Sequence, residues 1–237
     1  DKNTTGANNV GLGQQALAVN TTASDNTAVG SLSLLANTTG GQNTAIGKCA
    51  LVTNTTASNN VAVGEIALRV NTTGANNVSV GRSSMSANTT GGVNTAVGVN
   101  SLLSNTTGGS NTALGHAVLQ ASTTASDNTA VGREAMYSTT TGDCNVAFGH
   151  DAGYANTTGF RNTYIGFGAG KNATTPEGNT FIGRLAGCNA GTGNSNTAIG
   201  ISAGIDAVKN ITGTDTHQLV LGNNGTTNAY MKVAFTV

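Results

Sequence analysis

The sequence is poor in the residues on which most globular domains and nucleic-acid-binding proteins depend. Of its 237 residues only 8% are charged, 4 are Tyr, 5 are Phe, 1 is Pro and none is Trp. The formal net charge is zero and the 10 Lys and Arg residues are scattered, so the clustered positive charge that nucleic acid requires is missing. No apolar run approaches the roughly 20 residues that span a bilayer. We therefore expect neither nucleic-acid binding nor membrane insertion.

What the sequence does contain is one phrase, Asn-Thr-Ala-Val-Gly at residues 26–30, that returns every 17 residues. The asparagines that begin each copy keep one register along the chain: Asn9, Asn26, Asn43, Asn60, Asn77, Asn94, Asn111, Asn128, Asn145, Asn162, Asn179 and Asn196. A fixed period kept through so many copies means that each copy is a structural unit stacked on the next.

The repeat predicts an all-β solenoid with two short strands in each 17-residue coil. With the anchor Asn as position 1, positions 2 and 4 are β-branched or aliphatic, as at Thr27 and Val29, and share one face, which we expect to be the inner one. Position 3, as at Ala28, then faces the other way. Positions 8 and 9, as at Ala50 and Leu51, predict the second strand. Two helices do not fit in 17 residues, and coils about 4.8 Å apart predict a rod of roughly 55–60 Å.

Stacking places like residues above one another, so the polar positions predict ladders of side chains along the rod. We expect an Asn ladder at position 1 and a Thr ladder at position 14. The small residues at positions 3 and 8 predict close approach of another chain, and hence an oligomer. The representative ladder residues are Asn26, Asn43 and Asn60, and Thr22, Thr39 and Thr56.

The residues able to carry catalysis or bind a metal do not converge on one place. His116 and His150 are two coils apart, about 10 Å, which is too far for one metal within a chain. Glu134 and Asp151 fall in adjacent coils, but no cleft residues accompany this carboxylate pair. We therefore expect the protein to have no enzymatic activity, no cofactor and no metal site. Free thiols are expected at the three cysteines, which occupy different repeat positions: Cys49, Cys144 and Cys188.

The repeat changes character near residue 137, where the aromatic residues begin. Position 9 switches at the same stage from Leu or Met to Gly, as at Gly153 and Gly170. We divide the chain into a regular shaft at 1–136, aromatic-richer coils at 137–204 and an irregular cap at 205–237.

Two roles are expected for these aromatic residues. Phe148, Tyr164 and Phe181 are interpreted as bulky residues that compensate for the lost leucines and fill a wider centre of the expected oligomer. The rings at variable positions are candidates for stacking against sugars. These candidate ligand-binding residues are Tyr137, Tyr154, Phe160 and Phe167.

The phrase Asn-Thr-Ala-Val-Gly-Ser-Leu-Ser-Leu-Leu-Ala-Asn-Thr-Thr-Gly at residues 26–40 carries a family resemblance. It resembles the head repeats of trimeric autotransporter adhesins, the YadA-like β-roll, and more closely the repeats of bacteriophage tail fibres. The resemblance covers nearly the whole chain. It implies a left-handed parallel β-roll in which three chains pack around a threefold axis. The tail at 221–237 resembles the segment that precedes the self-cleaving intramolecular chaperone, a peptidase, of phage tail fibres.

The resemblance implies a homotrimeric fibre segment in a virion tail, next to other tail proteins. Multivalent contacts with a bacterial cell-surface polysaccharide, near the C-terminal third, are the expected mode of attachment. A passive spacer within a fibre remains an alternative, as does an ice-binding β-solenoid. Ice binding is suggested by the Thr columns and scarce charge. Against it, Thr21 and Thr22 are adjacent and should diverge, and valines such as Val61 interrupt position 2.

Overall fold

A computed structural model describes residues 2–205 and 210–226, and within these ranges the chain forms strands and turns but no helix. Most of the tail expected to precede a chaperone, 227–237, lies outside the described residues. In the described ranges, thirteen short strands form one parallel sheet in which each strand pairs with the next along the chain. They are β1 (Val10–Leu12), β2 (Thr27–Val29), β3 (Thr44–Ile46), β4 (Val61–Val63), β5 (Val78–Val80), β6 (Thr95–Val97), β7 (Thr112–Leu114), β8 (Thr129–Val131), β9 (Val146–Phe148), β10 (Thr163–Ile165), β11 (Thr180–Ile182), β12 (Thr197–Ile199) and β13 (Leu219–Leu221).

The pairing register equals the repeat, so the chain is a parallel β-solenoid of 17-residue coils, as the sequence predicts. Thr27 pairs with Thr44 and Ala28 with Ala45, and the pattern holds up to β12. β12 pairs with β13 across a longer coil, in which Asn196 and Gln218 are 22 residues apart. We number the coils from their anchor asparagines, so that coil 1 begins at Asn9.

Each coil contains one strand rather than the two expected, because its second half is a series of turns. Positions 7 and 9 have left-handed backbone, as at Leu32 (φ 61°) and Leu34 (φ 48°). A bulky residue rarely adopts this conformation, and alternating it with ordinary backbone prevents an extended strand. The turns still bond between coils: the Leu34 amide donates to the Ala50 carbonyl at 3.0 Å. Full burial of Leu34 offsets the local strain.

The inward face of the strand is the opposite of the one expected. Ala28 and its counterparts at position 3 of β2 to β12 are completely buried, whereas Thr27 and Val29 at positions 2 and 4 lie on the outer face. Position 8 is also interior, as shown by Ser33, whose hydroxyl donates to the Ala45 carbonyl at 2.9 Å. The interior of a coil is so narrow that Ala opposite Leu fills it. Positions 3 and 8 are therefore not available for another chain.

The anchor asparagines form a buried ladder that joins all coils. The backbone amide of Asn43 donates to Oδ1 of Asn26 at 2.9 Å, and Asn60 repeats the contact with Asn43 at 3.0 Å. Nδ2 of Asn43 donates to the Ala57 carbonyl of its own coil at 2.9 Å. Each anchor thus satisfies backbone groups that would otherwise be buried without partners.

The threonine ladder runs through position 13 and not through position 14, which corrects the expectation for Thr22, Thr39 and Thr56. Thr38 at position 13 donates its hydroxyl to the Thr55 carbonyl of the next coil at 3.0 Å. Position 14 is exposed in coils 1 to 11. Among the described residues its hydroxyl makes a side-chain hydrogen bond only at Thr192, which donates to the Gly213 carbonyl at 3.5 Å in the coil where position 13 is Gly191. Two adjacent turn residues cannot both face the neighbouring coil, so only one of them enters the ladder.

From coil 9 onward Tyr164 and Phe181 compensate for the lost leucines as expected, but they do so inside the solenoid and not at the centre of an oligomer, and Phe148 does neither. Tyr164 and Phe181 are fully buried, with ring centroids 6.0 Å apart. Phe181 lies over Gly187, where an added Cβ would be 2.6 Å from the ring. Phe148 stands at position 4, which faces outward, and is 54% exposed.

Candidate functional site

The candidate site is a cluster on coils 8 to 11 in which side chains at positions 6, 7 and 10 meet. We call it the coil 8–11 cluster. It consists of Tyr137, His150, Asp151, Tyr154, Phe167, Lys171 and Arg184.

The position 10 side chains stack along the rod. The rings of Tyr137 and Tyr154 are 5.2 Å apart between centroids and 7° from parallel. Nζ of Lys171, one coil further along, lies 5.7 Å from the centroid of Tyr154. Tyr154 therefore has a neighbour over each face, while its ring edge points away from the stack.

The position 6 side chains form a second stack beside the first. The rings of His150 and Phe167 are 5.3 Å apart and 5° from parallel, and the guanidinium of Arg184 lies 5.9 Å from the centroid of Phe167. Phe167 is nevertheless 48% exposed. Face-on stacking of a sugar, the contact expected from the sequence, is thus blocked at Phe167 and Tyr154, because the 17-residue register places a neighbour over each face. Ring edges and flanking cations remain accessible.

Asp151 at position 7 links the two stacks. Its Oδ2 lies 2.8 Å from Nζ of Lys171 and 3.5 Å from Nδ1 of His150. The Asp151 side chain is only 8% exposed, against 42% for Lys171. The hydrogen bond to Asp151 raises the pKa of Lys171, although partial desolvation opposes the shift. The pair fixes Lys171 over the Tyr154 ring.

Phe160 does not belong to this cluster. It lies at position 16, where the Arg161 guanidinium is 5.4 Å from its ring centroid. Arg161 in turn lies 3.3 Å from a carboxylate oxygen of Glu177. The structure therefore brings together three of the four aromatic residues selected from the sequence, and places Phe160 among different neighbours.

The remaining candidate residues lie outside the cluster, in ion pairs, in the core or as free thiols. Glu134 is bound by Arg133 at 2.8 Å. Tyr164 is fully buried, which raises the pKa of its phenol far above its ordinary value. Cys49, Cys144 and Cys188 are free thiols. Over 2–205 and 210–226, no group of three or more His, Cys, Asp or Glu residues could hold a metal ion.

A second surface feature runs the length of the solenoid: an outward strip of apolar side chains on the sheet. Position 4 is aliphatic or Phe in every coil, and Ile46 is 41% and Ile165 39% exposed. Position 2 lies beside it on the same face. We call this the apolar strip. Its position 4 members are Leu12, Val29, Ile46, Val63, Val80, Val97, Leu114, Val131, Phe148, Ile165, Ile182, Ile199 and Leu221.

Comparison with known proteins found no matching family model, no matching curated protein and no matching solved structure. None of the described segments is a helix with the length and hydropathy needed to cross a membrane. The apolar strip and the coil 8–11 cluster are the two surface features of the described residues that could contact a partner.

Proposed function

We propose that the chain is the shaft segment of a homotrimeric fibre, a left-handed β-roll that attaches a phage tail to the surface of its host bacterium. The observation that carries the proposal is the apolar strip. Monomeric soluble proteins rarely expose contiguous apolar patches beyond a few hundred Å². Here thirteen strands in register present one such strip along the entire sheet. Three chains that pack their strips together around an axis would remove it from water.

The threefold number and the virion location come from the repeat resemblance. The strip accounts for the assembly in physical terms. Each chain has one strip and it runs parallel to the rod, so a closed bundle of parallel chains buries every copy of it. Other tail proteins would then adjoin the ends of the bundle.

Attachment is assigned to the coil 8–11 cluster. In a trimer the cluster occurs three times at one height of the rod, so that weak contacts with a repeating polysaccharide add through effective concentration. The edges of Tyr154 and Phe167 offer apolar contact, while Lys171 and Arg184 offer donors to sugar oxygens. The regular coils below would hold these groups away from the virion.

An array of bacterial surface polysaccharides tests the attachment function. We expect the intact protein to bind at least one polysaccharide, and Tyr154→Ala and Phe167→Ala each to weaken that binding. Thr158→Ala, an exposed position 14 change in coil 9, is the matched control and should bind normally. Equal binding by all four proteins would remove the cluster from the function, and no binding by any would favour a passive spacer.

One observation favours the ice-binding alternative. Thr27, Thr44 and other position 2 threonines lie on the outer face of the sheet, at a spacing of about 4.8 Å. A strip of Thr beside aliphatic side chains, although interrupted by valines such as Val61, is a surface on which water can order. Thermal hysteresis of a dilute solution of the protein would support this function, and its absence would exclude it.

A further inference from the structure

A second asparagine ladder lies inside the solenoid at position 12, and it is interrupted. Nδ2 of Asn54 donates to Oδ1 of Asn37 at 2.9 Å, Asn71 to Asn54 at 3.0 Å and Asn88 to Asn71 at 2.8 Å. Asn105 continues the ladder with a 2.8 Å bond to Asn88. In each step the amide of one coil satisfies the carbonyl oxygen of the coil before it.

Coils 7 and 8 replace the amide by a hydroxyl, at Ser122 and Thr139. Three buried atoms in consecutive coils then have no hydrogen-bond partner among the described residues: Oδ1 of Asn105, Oγ of Ser122 and Oγ1 of Thr139. All three residues are 0% exposed. Oδ1 of Asn156 also has no partner, but for another reason, since the next residue of the column is Ala173. Buried polar groups are almost always bonded, so the run of three at the interruption calls for a ligand inside the column.

We propose that two water molecules are bound in this column, one bridging Asn105 to Ser122 and one bridging Ser122 to Thr139. Adjacent coils are about 4.8 Å apart, and the polar atom of Ser lies one bond closer to the backbone than the polar atoms of Asn. The hydroxyl therefore cannot contact the preceding coil directly. One water with bonds of ordinary length on either side spans this separation.

The number of oxygens at each gap selects water over a cation. A carboxamide oxygen can accept a hydrogen bond from water or ligate a cation, so the ligand count decides between the two. Each gap offers two neutral side-chain oxygens, whereas Ca²⁺ takes six to eight oxygen ligands. The first water donates to Oδ1 of Asn105 and accepts from or donates to the Ser122 hydroxyl. The same hydroxyl also hydrogen-bonds to the second water.

A crystal structure at near-atomic resolution tests the proposal with the wild-type protein. We expect one density peak within hydrogen-bond distance of Asn105 Oδ1 and Ser122 Oγ, and another between Ser122 Oγ and Thr139 Oγ1. Empty density at both places, or direct contact between the side chains, would overturn the proposal. A peak with five or more oxygens at cation distances would do so as well.

Matched variants test the cause. Ser122→Asn restores the amide and is expected to lose the first peak, while Ser122→Asn/Thr139→Asn loses both and unfolds at a higher temperature than wild type. Ser104→Asn makes the same change at a half-exposed residue of coil 6 and should leave both peaks in place. Persistence of both peaks in the double variant would contradict the assignment.

Discussion

The ring of Tyr164 occupies the space beside Gly153, where an added Cβ would lie 2.5 Å from Cδ2 of the tyrosine. The same ring also contacts Gly170 on its other side. Both glycines stand at position 9, where the preceding coils have Leu or Met, and both keep the left-handed backbone of that position, with φ 62° and 60°. One aromatic ring from position 3 thus replaces two aliphatic side chains from position 9.

This exchange predicts a strong coupling between Tyr164 and Gly170. Tyr164→Ala should cost about 3–5 kcal/mol because it leaves a cavity, and Gly170→Leu should be strongly destabilising because the new side chain meets the ring. The double variant restores the Ala and Leu pair of coil 3 and should recover part of the loss, with a coupling of about 1–3 kcal/mol. Chemical unfolding of the four proteins measures it, and additive effects would contradict the packing.

In coil 12 the interior is also filled by a residue from another position, and the sequence did not predict which one. Position 3 is Ala198 and position 9 is Gly204, so neither fills the interior. Ile211, from the longer last coil, is fully buried, and an added Cβ on Gly204 would lie 2.9 Å from its Cδ1. We expect Ile211→Ala to cost about 2–5 kcal/mol in unfolding free energy. An effect below about 0.5 kcal/mol, typical of surface changes, would show that Ile211 is not part of the core.

The two adjacent threonines of the turn should differ in their effect on stability. Thr38→Ala removes the 3.0 Å hydrogen bond to the Thr55 carbonyl and should cost about 1 kcal/mol. Thr39→Ala changes an exposed side chain and should stay within about 0.5 kcal/mol of wild type. Thermal unfolding of both variants provides the comparison. Equal losses would place Thr39 in the ladder after all.

Lys171 should stabilise the protein up to alkaline pH. Its folded pKa is raised above the ordinary value of 10.5, so its contribution is complete below that pH and is lost as pH rises through the raised pKa. We expect the melting temperatures of wild type and Lys171→Met to converge above about pH 10.5. A difference that stays constant across the alkaline range would show that Asp151 does not bind the protonated lysine.

Contacts that depend only on the repeat period could be predicted from the sequence. The face that is buried and the local backbone conformation could not, because they depend on packing inside the coil. The stacking of Tyr154 on Tyr137 follows from their shared repeat position, as does the Asn26 to Asn43 ladder. Alternation showed that Thr27 and Val29 share a face, but not that this face is the outer one. The left-handed backbone of Leu34 was not predictable either, because local preference opposes it and only burial in the coil compensates.

The coil 8–11 cluster also contains contacts that the repeat period predicts and one that it does not. Contacts within one column, such as His150 with Phe167, follow from the 17-residue register. The ion pair of Asp151 with Lys171 joins positions 7 and 10 across 20 residues. This ion pair depends on the turn geometry of the second half of the coil. The sequence pattern predicts a strand there, so the pair could not be predicted.

Charges placed on the apolar strip should prevent assembly without unfolding the coils. Val97→Lys/Ile165→Lys introduces two cations on the outer face of β6 and β10, where both side chains are more than one-third exposed, at 38% and 39%. We expect this variant to remain folded by circular dichroism and to elute as a smaller species than wild type. Thr107→Lys/Thr175→Lys puts the same charges on exposed position 14 of the same coils and should assemble normally.

Sedimentation equilibrium of the wild-type protein tests the central claim most directly. A homotrimer joined along the apolar strip predicts a mass three times the 23.3 kDa of one chain, and a mass of one chain for Val97→Lys/Ile165→Lys. A wild-type protein that sediments at 23.3 kDa at all concentrations would contradict the account, because the apolar strip would then face water along the whole rod.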